Sequence, residues 1–307
     1  MLPSTSRQAR LITITLVVIA AILMIVVVPF IGFNMTNPIA EGQLERVATL
    51  KALGTPEGNV QAALLELTPW LISFFYPFWS VMSLVAGIVL LVIARALYRG
   101  EKWTRGVALL CLAVPAMGGA YMIVPWMNFV GSKYGGYPPA ITIMVIGLIP
   151  YFALLLLDKT DLVQKLVDFF VFLMLGVTAA ESFANGHAAF RILYGHPQRP
   201  LFADGIAITY VAWWGLWVGS GLTIAAIYLL GNRKSSGWYV GLIGGLVTLV
   251  ASGSTHYVRH ATNDYLYGAL MGLSIVVMLL IPVFKQRLLT EYSDSSSTPE
   301  KTTSIPV

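Results

Sequence analysis

Residues 11–33, LITITLVVIAAILMIVVVPFIGF, contain no Asp, Glu, Lys or Arg. As a helix, a stretch of that length is long enough to cross the roughly 30 Å hydrocarbon core of a bilayer. Comparable runs recur along the chain. Only 11% of the 307 residues are charged and 57% are hydrophobic, whereas soluble domains carry about 25% charged residues. So little charge cannot coat a water-facing surface, which leaves a polytopic membrane protein whose first partner is the lipid bilayer. The first run is too long for a removable signal peptide and lacks a small-residue cleavage site, so it is expected to stay as a span. The single cysteine, Cys111, rules out an internal disulfide.

The hydrophobic pattern places eight spans at about 10–33, 67–97, 104–130, 137–157, 164–187, 205–230, 237–260 and 265–285. The fold class is therefore all-α. The net charge of +5 reads as orientation and not as a nucleic-acid signal. Arg7, Arg10, Arg95, Arg99, Lys102, Arg105, Lys159, Lys165, Arg233, Lys234, Lys285 and Arg287 all fall on one side. The opposite side holds fewer basic residues, spread over longer loops. By the positive-inside rule both termini are cytoplasmic, in a multi-pass protein of the plasma membrane. The tail EYSDSSSTPEKTTSIPV is Ser/Thr-rich and poor in apolar residues, so residues 291–307 read as a disordered cytoplasmic segment.

The eight spans fall into two groups of four, residues 1–160 and 161–290. Each runs span, long outer connection, aromatic-rich span, tight basic inner turn, Gly-rich span, short outer turn, final span. ALYRGEKWTRGVALL in the first half answers YLLGNRKSSGWYVGL in the second, and Tyr134-Gly135 answers Tyr267-Gly268. An even number of spans per half makes the halves parallel repeats about an axis along the membrane normal.

The segment GLTIAAIYLLGNRKSSGWYVGLIGGLVTLVAS, a helix, a tight basic turn and a Gly-rich helix, resembles the DoxX-like membrane proteins. The resemblance covers about half of each repeat and carries no catalytic motif. It implies four-helix units, here two in tandem, and an association with quinone-linked redox metabolism; it transfers no functional residue.

Polar residues inside the spans are few and therefore informative. Thr178, Glu181, Ser182 and Asn185 fall at i, i+3, i+4 and i+7, one polar stripe on an apolar helix. In a bilayer such a stripe faces the bundle interior or a water-filled cavity, because an ionisable group in lipid costs several kcal/mol. Asp168, nearer the inner end, is expected to pair with Lys165 or to snorkel out. Gly237, Gly241 and Gly245 recur every four residues and form a close-packing ridge. If that helix persists through GSTHYVRHATNDYLYG, His256 and His260 lie near the ridge and point into the bundle.

H-x-x-x-H at i, i+4 offers two nitrogens to one metal ion, zinc or copper, with His187 as a third candidate ligand. It also describes two interfacial histidines bonded to loop carbonyls, with Arg259 at the headgroups. Trp213, Trp214 and Trp217 follow helical spacing, as in an aromatic belt or a wall for a flat ligand such as a quinone or haem. Glu181, Ser182, Asn185, Trp213, Trp214, Trp217 and Arg259 thus make a candidate outward-facing cavity in the second half.

Three functions compete on these residues. One is a redox-accessory or binding protein for a quinone-like amphiphile or a metal, alone or with other membrane subunits. Another is a metal-dependent membrane hydrolase: H-x-x-x-H late in the chain, with His187 and Ser182, resembles the alkaline ceramidase and adiponectin-receptor superfamily, which has seven spans where this chain has eight. A small-solute transporter or a structural subunit is the third. Against transport stands the absence of paired Gly/Pro-broken helices at matching depths.

Overall fold

A computed structural model describes residues 6–131, 136–194, 206–260 and 262–289. Every regular element among them is helical: α1 (Arg7–Ala52), α2 (Pro56–Glu66), α3 (Thr68–Arg99), α4 (Lys102–Trp126, continued by a π-helical turn Met127–Gly131), α5 (Ala140–Leu156), α6 (Leu162–Tyr194), α7 (Ala207–Gly231), α8 (Ser235–Val258), α9 (Asp264–Leu280) and α10 (Pro282–Leu289). Among the described residues six stretches are long and apolar enough to cross a membrane: α1, α2 with α3, α4 with its π turn, α6, α7 and α8. A seventh arises if α9 and α10, bent by 76°, count as one. α5 is apolar but has only 17 residues, about 25 Å of helix. The bend after α9 follows from Pro282, which lacks an N–H and pushes Ile281 to extended backbone (φ −67, ψ 122).

Two helices outrun their expected spans. α1 has 46 residues, about 69 Å, and continues far past position 33. Its extension carries a buried stripe at Met35, Ile39, Gln43, Val47 and Leu50, which keeps a helical period through a polar-looking segment. α6 runs to Tyr194, seven residues beyond the expected end at His187. At its start Asp161 Oδ1 accepts from the Gln164 N–H at 2.9 Å and Oδ2 pairs with Arg287 at 2.6 Å. The N–H bond first, then Arg287, holds that carboxyl below its ordinary range.

α1 packs on α3, α3 on α4, α4 on α5, and α5 returns to α1; α6, α7, α8 and α9 form a second such ring. α4, the most buried of the spans, joins the rings by packing on α6 and α7. Close approach depends on small residues, because apolar side chains gain nothing by leaving lipid for one another. A Cβ on Gly32 of α1 would run into Ser80 of α3, and one on Gly147 of α5 would strike the Leu112 carbonyl of α4. The expected ridge on α8 is a packing surface: Gly237 meets Leu229 and Leu230 of α7, while Gly245 meets Ile275 and the Gly272 carbonyl of α9.

The two basic turns dock on each other. The Gly106 N–H donates to Asn232 Oδ1 at 2.9 Å, and Arg105 Nη1 to the Gly231 carbonyl at 3.3 Å. Arg10 reaches the Tyr98 carbonyl at the same end of the bundle. The first turn closes on Gly100 in the left-handed region (φ 82), and the second puts Arg233 there (φ 56).

Candidate functional site

A cavity of about 470 Å³ lies between the two rings of helices, with walls from α1, α3, α4, α5, α6 and the start of α9. Its floor, towards the basic end, is Tyr151, whose hydroxyl donates to the Phe172 carbonyl at 3.2 Å. Met117, Met144, Leu148, Phe152 and Leu173 make an apolar middle, widened by Gly176, where a Cβ would meet no atom within 4 Å. The far end is polar: Gln43, Thr68, Asn128, Glu181, Asn185, His187, Arg191 and Asp264 all line it.

Glu181 and Asn185 enter the cavity as the stripe on α6 required. The Asn185 amide donates to Glu181 Oε1 at 3.2 Å and to the Asp264 carbonyl at 3.1 Å, tying α6 to the start of α9. The rest of the stripe faces the helix interface instead. Thr178 and Ser182 are buried, and Ser182 Oγ meets Thr248 Oγ1 of α8 at 3.3 Å. The stripe is interior throughout, divided between cavity and packing.

His187 is buried with its Nδ1 hydrogen-bonded to the Tyr121 hydroxyl of α4. Its ring lies 5.2 Å from Phe75 of α3, so α3, α4 and α6 meet at this side chain. Trp217 of α7 joins the same aromatic cluster, 5.8 Å from Phe75, and donates its indole N–H to the Phe183 carbonyl at 3.3 Å. Trp213 is buried against Phe190 at 4.7 Å, while Trp214 is 56% exposed on the outer surface of the bundle. None of these three tryptophans, nor Ser182 or Arg259, lines the cavity. The expected aromatic wall is a packed seam between α6 and α7, and the cavity opens on the other face of α6. It belongs to both halves, not to the second alone.

The histidine pair does not form the site its spacing suggested. α8 ends at Val258, and Arg259 turns off the helix (φ −132, ψ 87). His260 therefore lies beyond the last turn and is exposed, so the i, i+4 geometry is lost. His256 is partly buried, its Nδ1 without a hydrogen-bond partner, and it lines no part of the cavity. Among the described residues no three His, Cys, Asp or Glu side chains lie close enough to hold a metal ion. With His187 bonded to Tyr121 and Ser182 to Thr248, the donor set that a zinc hydrolase needs does not converge. His196 and the YGHPQRP loop fall outside the described residues.

Beneath the floor, four charges are buried together. Asp168 binds Arg233 through two hydrogen bonds of 3.0 and 2.8 Å and lies 3.5 Å from Arg105, whose other side faces Asp158 at 3.7 Å. All four are at most 8% exposed. Asp168 thus pairs across the bundle, not with Lys165. The reason is steric: the docked basic turns bring Arg105 and Arg233 onto the inward face of α6.

The sequence reading missed Tyr121, Gln43, Thr68 and Arg191 as cavity residues. Gln43 had a signal, a lone amide in an apolar stripe. Arg191 had one too, four residues after His187 on the same helical face, but it lies beyond the expected end of that span. Thr68 and Tyr121 carried none. No protein-family model matches this chain, and no curated protein or solved structure matches it.

Proposed function

We propose that this chain is a membrane protein that binds a quinone-like amphiphile in the cavity between its two helix rings, as a binding or redox-accessory protein. The observation that carries this reading is the cavity's division into an apolar middle and a polar far end. Its volume falls within the roughly 300–1,000 Å³ of small-molecule sites, which are commonly apolar with a few placed polar groups. In this reading the ring carbonyls accept from Thr68 and Arg191, and the apolar tail lies along Leu148 and Leu173.

The accompanying topology is eight spans in two parallel four-helix repeats, with cytoplasmic termini at the plasma membrane. It is supported by the two-ring packing and by the Lys/Arg-rich end that gathers Arg10, Arg105 and Arg233. The polar end of the cavity is then the outer one. A role beside other membrane subunits is compatible with the same site.

The test uses a decyl-substituted benzoquinone and thermal unfolding in non-ionic detergent. Saturation at a hundred times Kd stabilises a binding protein by about 2.7 kcal/mol. Gly176→Leu places a side chain in open cavity space and should abolish that shift without lowering the ligand-free melting temperature. An unstabilised parent, or a variant stabilised as much as the parent, refutes the reading.

A second reading, carriage of the ligand across the membrane, is favoured by the buried Arg105–Asp158–Asp168–Arg233 cluster under the closed floor. An Ala113→Cys probe in the cavity should then become accessible to a thiol reagent from the cytoplasmic side when Asp168→Asn loosens the cluster. Continued protection of the probe removes this reading.

A further inference from the structure

Three polar groups at the far end of the cavity lack the partners that buried polar atoms ordinarily have. Gln43 is 1% exposed and its Oε1 has no hydrogen-bond partner; Thr68 is 5% exposed and its Oγ1 has none. The Arg191 Nε is likewise buried without a partner. All three residues line the cavity. Among the described residues the ion pairs of the chain do not include Arg191. By contrast Arg105, Arg233 and Arg287 each meet a carboxylate.

A buried guanidinium nitrogen with no acceptor is costly inside a membrane protein, and such groups face a cavity and pair with whatever occupies it. The two carboxylates of the same cavity do not supply the counter-charge. Glu181 is held by Asn185, and Asp264 belongs to the first turn of α9, next to the carbonyl that Asn185 also binds. What is missing is an acceptor with negative charge, able to take the planar fork of an arginine and the hydroxyl of a threonine, with a hydrogen to give to the Gln43 oxygen.

We infer that Arg191, Thr68 and Gln43 form an anion-binding subsite, so that the amphiphile of this cavity carries an anionic oxygen head such as a carboxylate, a phosphate or an acidic quinone hydroxyl. The inference rests on the amphiphile-binding reading above and narrows it by charge. The guanidinium selects the charged oxygen. Thr68 donates to a second head oxygen, and Gln43 accepts from any hydroxyl that remains protonated. The apolar body extends towards Tyr151.

The experiment compares two ligands that differ at one position, a charged oxygen in one and its methyl ether in the other. One is 2-hydroxy-3-decyl-1,4-naphthoquinone, ionised at neutral pH, and the other its neutral 2-methoxy ether. Binding is measured by thermal shift and native mass spectrometry on the full chain in phosphatidylcholine nanodiscs. The parent should prefer the ionised ligand by about tenfold or more, the range of hydrogen bonds to charged groups. Arg191→Gln should erase the preference, weakening the ionised ligand by about tenfold more than the methoxy one, which loses only a neutral hydrogen bond. Arg191→Lys, which keeps the charge, should keep most of the preference and covers a failure of the Gln variant to fold. If discs of phosphatidylglycerol weaken binding of the ionised ligand in the parent but not in Arg191→Gln, the competing anion is a lipid headgroup; unchanged binding makes it a free amphiphile. Equal affinity of the parent for both ligands, or a preference untouched in Arg191→Gln, overturns the anionic subsite and leaves the cavity reading standing. Binding of neither ligand overturns both.

Discussion

Adding one methyl group at two glycines should change stability in opposite directions. At Gly272 of α9 a Cβ would sit 2.7 Å from the Gly245 carbonyl oxygen and 2.7 Å from the Leu249 nitrogen. Carbon–oxygen contacts of this kind settle near 3.3 Å, so α8 and α9 must part by about 3.3 − 2.7 = 0.6 Å. Both obstacles are backbone and no rotamer change relieves them, so the overpacking cost belongs at the upper end of its range, about 3 kcal/mol. The gain in helix propensity from glycine to alanine offsets about 1 kcal/mol. Gly272→Ala should therefore destabilise by about 2 kcal/mol.

Gly176 of α6 faces the cavity, and a methyl group there would have no atom within 4 Å, so Gly176→Ala should keep only the propensity gain of about 1 kcal/mol. At about 2–4 °C per kcal/mol the two variants should melt roughly 6–12 °C apart, on either side of the parent. Intrinsic fluorescence during thermal unfolding in one non-ionic detergent reads this directly. A Gly272→Ala protein that melts at or above the parent would mean that the α8–α9 seam is not closely packed. The rim of the cavity, which that seam supports through Gly268 beside Ser252 and Asn185, would then have to be redrawn.

Other outcomes follow from the same contacts. Asp168→Asn leaves Arg105 and Arg233 facing a neutral amide in a buried setting, and should cost about 3–5 kcal/mol in unfolding experiments; a cost under about 1 kcal/mol would place the cluster in contact with water. Tyr121→Phe and His187→Ala should be non-additive by about 0.5–3 kcal/mol in a double-mutant cycle because the side chains are bonded. Glu181→Gln with His256→Ala should be additive, zinc present or absent, since only Glu181 lines the cavity. A cysteine at Asn59 should react with an impermeant thiol reagent on intact cells and one at Ser235 should not; the reverse pattern would turn the polar end of the cavity to the cytoplasm.

Class and rough architecture were legible in the sequence because each rests on a one-dimensional property. Uncharged runs as long as a bilayer is thick force helices, since in lipid each backbone N–H and C=O must be bonded within its own segment. The spacing of Glu181 and Asn185 announced an inward face because a polar stripe has nowhere else to go. The Gly237–Gly241–Gly245 ridge announced a contact because only small residues let two backbones approach. Which neighbour each face meets is a property of three dimensions. Nothing local told Asp168 to ignore Lys165 in favour of Arg233 and Arg105; the docking of two distant basic turns decided it. Nothing local ended α8 at Val258, two residues before the histidine spacing could act. Helical spacing also grouped three tryptophans, yet two of them pack into a seam and the cavity lies on the other side of α6. Gln43, Thr68, Tyr121 and Arg191 come from four helices, far apart along the chain. A sequence can say that each is unusual where it stands, but only the packing of α1, α3, α4 and α6 around one space makes them a site, because whether a buried polar atom has a partner depends on what folds against it.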